Sequence, residues 1–307
     1  MYAKRRYKDG ASNGGIQSSF FAPNLHFQIS RKSHLKLRSQ SFCQQQFVSC
    51  TCSLNPLSSL DKSKAPSKMA PRPEGFPSYT PTWHNKSYPY ISPTRPELSV
   101  AGKTIIVTGG GTGIGSSIVQ SFALAGAKAI GLIGRRENVL LSTTSELASL
   151  APSVRISHAI ADVADASALS AAISSLSQTF SSKIDIFVNN AGYLPTPASI
   201  ADTDSDDWWK AFEINVKGGF NAIHAFLAVA APGAKFINIS TGLTTTPSWP
   251  GFSAYSASKL AMAKIVESLN IEREDIWAVN VQPGVVASDM NTKSGYGPLD
   301  EGELLSI

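Results

Sequence analysis

Little in this chain of 307 residues points to covalent cross-links or to a membrane. Its three cysteines, Cys43, Cys50 and Cys52, all lie near the start, so the rest of the chain needs neither disulfides nor an oxidising compartment. Cys50-Thr51-Cys52 matches no zinc spacing, no second pair completes one, and His158 and His224 have no ligand spacing either, so no metal is expected. No uninterrupted apolar run reaches the ~18 residues of a membrane span. The longest apolar region, around Phe220–Ile239, is broken by His224, Pro232 and Lys235. Acidic residues are scarce in the first 68 positions, which hold 11 Lys+Arg against 2 Asp+Glu, a net of +9, while the remainder nets −4. The basic character thus belongs to the leading segment and not to a folded module, which argues against a nucleic-acid-binding domain.

What is present falls into three parts. Residues 1–68 are rich in Ser, Gln and Lys/Arg and have no hydrophobic period. They cannot bury enough apolar surface to offset the entropy of ordering. They read as a disordered basic extension: either an organellar transit peptide or a mis-assigned start with Met69 as the initiator, the second being favoured. Placement is accordingly expected to be cytoplasmic, or organellar if the segment is a transit peptide. Residues 69–100 are rich in proline and aromatics and read as an ordered arm lying across the domain. From residue 101 to 307 strands and helices alternate. Strands are predicted at Thr104–Thr108, Ala129–Ile133, Val154–Ala159, Ile184–Asn189, Lys235–Ile239 and Trp277–Gln282, with helices at Gly113–Ala125, Glu137–Leu150, Ala166–Phe180, Asp206–Ala230 and Ala254–Ile271. Asp165 stands where the third helix needs a cap. Near-continuous apolar strands alternating with helices predict an α/β fold, a doubly wound parallel sheet in a single Rossmann-like domain.

Ligands on such sheets bind beyond the C-terminal strand ends. There the first strand runs into Gly109-Gly110-Gly111-Thr112-Gly113-Ile114-Gly115 and the first helix. Glycines allow a tight turn and close approach of backbone N–H groups to a diphosphate, and the helix N-terminus adds partial positive charge. No Lys-Ser/Thr pair follows, so this is no triphosphate loop. The acidic residue that usually binds ribose hydroxyls after the second strand is missing, and Gly134-Arg135-Arg136 stands there instead. Two guanidiniums suit a 2′-phosphate, which favours NADP(H) over NAD(H).

Tyr255 and Lys259 lie four residues apart on a predicted helix and share a face. A nearby cation favours phenolate, so Lys259 should lower the Tyr255 pKa and let it exchange a proton with a carbonyl oxygen.

Seven ordered motifs across roughly residues 100–290 resemble the short-chain dehydrogenase/reductase family. They are Thr108–Gly115, Asp162-Val163, Asn189-Asn190-Ala191-Gly192, Asn215, Asn238-Ile239-Ser240-Thr241, Tyr255 with Lys259, and Pro283-Gly284-Val285-Val286-Ala287-Ser288. The resemblance implies carbonyl–alcohol interconversion by hydride transfer on a small molecule, with Tyr255 as general acid/base. It implies that Lys259 also binds the nicotinamide ribose, that Asn215 supports a water chain, and that a hydroxyl of Ser240 or Thr241 holds the substrate. Gly109, Thr112, Gly113, Ile114, Gly115, Arg135, Arg136, Asp162, Val163, Asn190, Ala191, Gly192, Lys217, Pro283, Gly284, Val286 and Ser288 would line the cofactor, with Tyr255 and Lys259. A homodimer or homotetramer packed through the helices Asp206–Ala230 and Ala254–Ile271 is likewise implied.

Two departures stand out. The family usually has Ser-Ser where this chain has Ser240-Thr241; aligning on Asn238 selects Thr241, and counting back from Tyr255 keeps Ser240. After Met290 the family continues with a substrate-covering segment, a helix and a last strand, for which the tail Gly295–Ile307 is too short. The chain is therefore expected to lack that strand, and the alternative to an enzyme is a weak or inactive NADP-binding relative.

Overall fold

Short runs rich in Val and Ile can be buried on both sides only in a sheet with helices on each face. In the computed structural model, which describes residues 87–295, that is the arrangement. The strands are β1 (Thr104–Thr108), β2 (Ala129–Gly134), β3 (Arg155–Ile160), β4 (Ile184–Asn189), β5 (Ala230–Ile239) and β6 (Trp277–Val281). They form one sheet in the order β3-β2-β1-β4-β5-β6, with every pairing parallel. The helices are α1 (Gly113–Leu124), α2 (Glu137–Leu150), α3 (Ala166–Phe180), α4 (Ser205–Phe212), α5 (Gly218–Val229), α6 (Ser253–Glu272) and α7 (Asp289–Ser294). Strand order reverses between β1 and β4, which opens a crevice at their C-terminal ends.

The alternating faces of the strands feed two cores. Ile105, Val107, Ile130 and Leu132 pack under α1 and α2. Ile106, Ile133, Phe187 and Phe236 pack under α3, α5 and α6. Phe187 stacks on Phe236 at 5.6 Å and meets Phe226 of α5 at 5.4 Å, which fixes the spacing of β4, β5 and that helix. The strand ends are tied by a ladder of amides. Asn189 donates to Asn238 (2.9 Å), Asn238 to Asn280 (2.8 Å), and Asn280 to the Ala263 carbonyl on α6 (3.2 Å). Because these groups sit side by side in register, each satisfies the next without water, and α6 is held at a set height on the sheet.

The predicted doubly wound sheet is present, and most element bounds agree to within a residue or two. Asp165 does cap α3, accepting from the Ser167 and Ala168 amides (3.0 Å each). Two expectations need correction. The single helix over Asp206–Ala230 is two helices joined by a π turn, Glu213–Lys217, because one extra residue in that turn swings Asn215 inward. Strand β5 begins at Ala230, where it pairs with Ile184 across a register shift, and not at Lys235. The part of the arm described here, from residue 87, is mostly at the surface: Tyr90 is 70% exposed, and Val100 alone reaches the core beneath α1. The rest of the arm, the extension 1–68 and the tail beyond Gly295 lie outside the described residues. Among those residues β6 is an edge strand. No described helix is long and apolar enough to cross a membrane.

Candidate active site

The crevice is a cleft of about 720 Å³, within the range of ~300–1,000 Å³ usual for small-molecule sites. Its floor is the glycine turn. Gly109 and Gly113 have φ of +66° and +52°, a region that glycine enters freely. Gly115 is required for another reason: a Cβ there would stand 2.1 Å from the Gly109 carbonyl oxygen. Side chains are thus kept out where α1 closes on the turn. Asn190 pins the turn from the other side, donating to the Thr108 carbonyl (2.9 Å), while the Thr108 hydroxyl accepts from the Asn190 and Ala191 amides (3.0 and 3.1 Å). Thr112 makes no side-chain cap, so the first amides of α1 are left for another acceptor. A floor of this kind fits a dinucleotide diphosphate.

One end of the cleft is formed by Arg135, Arg136, Asp162 and Val163, beyond β2 and β3. Both arginines are exposed, and Arg135 lies 3.5 Å from the Asp162 carboxylate. Pro283, Gly284, Val286 and Ser288 line the roof; Ser288 caps α7 and approaches Gly113 from across the cleft.

The other end holds Ser240, Thr241, Tyr255 and Lys259. Tyr255 and Lys259 share the inner face of α6, and both lie in the same cleft as Gly109–Gly115. The Thr241 side chain lies beside the Tyr255 phenol and favours its ionised form. The Ser240 hydroxyl is sealed from solvent and has no hydrogen-bond partner among the described residues. Lys259 donates from Nζ to the Ile239 carbonyl (2.7 Å) and stands 5.9 Å from the Tyr255 ring centroid. Burial pushes the Lys259 ammonium down to about 8. It also pushes the Tyr255 phenol up to about 12, with the Thr241 side chain acting the other way. The expected lowering of the phenol by Lys259 is therefore corrected: Lys259 is buried and turned to a backbone carbonyl, and the desolvation of a half-buried phenol outweighs that cation.

Two expected residues do not line the cleft. Asn215 is buried just behind it. Its Oδ1 accepts from the Tyr193 amide (2.7 Å), and its Nδ2 donates to the Tyr193 carbonyl (2.9 Å) and the Ser258 hydroxyl (3.0 Å). Lys217, two positions on in the π turn, faces the opposite way and is exposed in a shallow outer depression with Trp209 and Phe220. The other expected residues, Gly109, Thr112, Gly113, Ile114, Gly115, Arg135, Arg136, Asp162, Val163, Asn190, Ala191, Gly192, Pro283, Gly284, Val286 and Ser288, all line it. Sequence reasoning missed Leu194, Leu243, Trp249, Phe252 and Met290 at the Tyr255 end. The aromatic residues three and six positions before Tyr255 were the available signal.

Residues 103–297 match the family described as short chain dehydrogenase. Among curated relatives, a short chain dehydrogenase of Monascus purpureus, mpl6, is 31% identical, over 70% of this chain and 76% of its own length. Among solved structures, a dehydrogenase/reductase from Sinorhizobium meliloti 1021 superposes with a TM-score of 0.59 at 31% identity, over 66% of this chain and 79% of that one. A short chain dehydrogenase from Burkholderia cenocepacia J2315, solved in complex with NADP, gives a TM-score of 0.59 at 28% identity, over 62% and 78% of the two chains.

Proposed function

This chain belongs to the short-chain dehydrogenase/reductase family and is an oxidoreductase of that family, and from that premise we propose that it interconverts a carbonyl compound and an alcohol with NADP(H). The observation that carries the reading is the convergence of Thr241, Tyr255 and Lys259 on the cleft whose floor is the Gly109–Gly115 turn. The turn and the first amides of α1 would hold the diphosphate, Asp162 and Val163 the adenine, and Lys259 the nicotinamide ribose. Arg135 and Arg136 would take the 2′-phosphate, as no carboxylate terminates β2; the NADP bound by the Burkholderia relative supports that choice. When bound, the cofactor supplies or accepts the hydride.

The protein's own part is the proton. In reduction Tyr255 gives its hydroxyl proton to the carbonyl oxygen as the hydride reaches the carbonyl carbon, and the alcohol leaves; in oxidation both transfers reverse. A phenol pushed up to about 12 keeps its proton at neutral pH, the form that reduction needs. Thr241, and not the sealed Ser240, is the hydroxyl able to hold the substrate oxygen beside Tyr255. Asn215 acts at one remove by fixing Tyr193 and Ser258, next to Lys259. We also read the chain as a cytoplasmic homodimer or homotetramer joined through α4, α5 and α6, and the segments 1–68, 69–100 and 101–307 as extension, arm and catalytic domain.

The test is NADPH oxidation across a panel of carbonyl compounds, with Tyr255→Phe expected to lose ~10²–10⁴ of the wild-type rate. Stabilisation against heat should be larger with NADPH than with NADH. Undiminished turnover in the Tyr255 variant would remove the assignment.

A further inference from the structure

Resting on the reading of Tyr255 as proton donor, we propose that the carbonyl compound taken by this cleft is uncharged and flat, with an aromatic or comparably apolar body. Rings step outward from the phenol. Phe252 meets Tyr255 edge to face with centroids 6.4 Å apart, and Trp249 meets Phe252 edge to face at 5.9 Å. All three line the cleft, with Leu194, Leu243 and Met290 closing around them. Phe252 and Leu194 are buried, and Trp249 and Met290 are half-buried. The wall is therefore held at fixed ring angles while keeping surface for a ligand. Such rings favour offset or perpendicular packing of another ring, and a methionine thioether adapts to its edge.

Charge is placed against an anionic substrate. Arg135 and Arg136 follow β2, which lies three strands from β5, a separation of ~14 Å at the usual strand spacing. Lys259 is turned to the Ile239 carbonyl. Lys293 of α7 donates to the Leu194 carbonyl (2.7 Å) and lies 4.7 Å from the Tyr193 ring centroid. Asp289, at the start of α7, lines the same cleft. A carboxylate or phosphate brought to Tyr255 would lose its water and meet cations already engaged, in a cleft whose lining also carries the Asp289 carboxylate.

The experiment compares initial rates of NADPH oxidation by the full chain with 4-methylbenzaldehyde, 4-carboxybenzaldehyde and propanal. For the neutral aryl aldehyde kcat/KM should exceed the other two by at least about tenfold, equivalent to ~1.4 kcal/mol. Trp249→Ala should lower that value about tenfold, mainly through KM, while propanal changes less than about threefold. Trp249→Phe should restore most of the loss, which separates a ring contact from a folding defect. Preference for the carboxylate or for propanal, or an unchanged aryl-to-propanal ratio in Trp249→Ala, would overturn the proposal while leaving the proton-donor reading intact. If no aldehyde is reduced by a protein that NADPH stabilises, or if Tyr255→Phe retains full turnover, the reading itself fails and the substrate class fails with it.

Discussion

At Lys259 the chain places an ammonium group where only 6% of the residue reaches solvent. Its pKa falls from the ordinary 10.5 to about 8. Because the folded value lies below the unfolded one, the folded chain binds fewer protons between those two values, so stability rises with pH across that window and the full cost is borne below about pH 8. Lys259→Met should thus raise the melting temperature of the cofactor-free protein at pH 7, by the equivalent of ~1–3 kcal/mol after loss of the bond to Ile239. The gain should shrink as pH climbs through the window, and turnover should be lost. A lower melting temperature at every pH would mean that the hydrogen bond outweighs burial. Gly115 carries a steric constraint instead. With a Cβ 2.1 Å from one backbone oxygen and 2.6 Å from the Asn190 side-chain Nδ2, Gly115→Ala must part α1 from the turn. A cost of ~1–3 kcal/mol and loss of the NADPH-induced thermal shift are expected. Gly126→Ala is the control: its φ of +83° strains an alanine, but nothing lies within 4 Å of the added Cβ. It should cost about 1 kcal/mol and leave the NADPH shift in place.

Among the elements, α7 shows how a short helix is held over a site. Lys293 joins it to the Leu194 carbonyl and the Tyr193 ring, Tyr193 hydrogen-bonds Asp207 of α4, and Asn215 clasps both backbone polar groups of Tyr193. The hydrogen bond that Tyr193 donates to the Asp207 carboxylate pushes its phenol up to about 12, so the link persists through neutral pH. Lys293→Met removes one net hydrogen bond of ~0.5–1.5 kcal/mol, and KM for the carbonyl substrate should rise about two- to tenfold with kcat little changed. A fall in kcat at constant KM would instead place α7 in the chemistry. Asn215 was singled out in the sequence, but its latch role with Lys293, Tyr193 and Asp207 was not legible, because those members are far apart in the chain and carry no motif. The regular elements were legible, since strand β1 and helices such as α3 are set by local pattern and caps. The π turn was not, because a 3.6-residue period runs through it unchanged; that same turn sends Asn215 inward and Lys217 outward. The tight turn that floors the cleft was readable from glycine spacing. The pKa order of Tyr255 and Lys259 was not, because it depends on how deeply the fold buries them.

For the whole molecule, one outer surface stands apart. Trp209 and Phe220 are 61% and 47% exposed, and they share a shallow depression with Val216 and Ile265. Asp206, Glu213, Lys210 and Lys217 ring it. An apolar centre with both signs of charge around it can meet its own copy across a twofold axis, each cation facing an anion of the partner. Lys217, expected as a cofactor contact, lies in this depression and not in the cleft. The active-site cleft lies at the strand ends and not on this surface, so oligomer and chemistry should be separable. Phe220→Glu puts a charge at the centre of the depression, where it would be desolvated and unpaired in a twofold contact. Light scattering should show the wild type at twice or four times the chain mass and the variant at a smaller multiple. NADPH should still stabilise the variant, as the residue is already half exposed in a single chain. A wild type that runs as one chain at micromolar concentration would exclude this surface as the contact, and the exposed tryptophan would then need another partner.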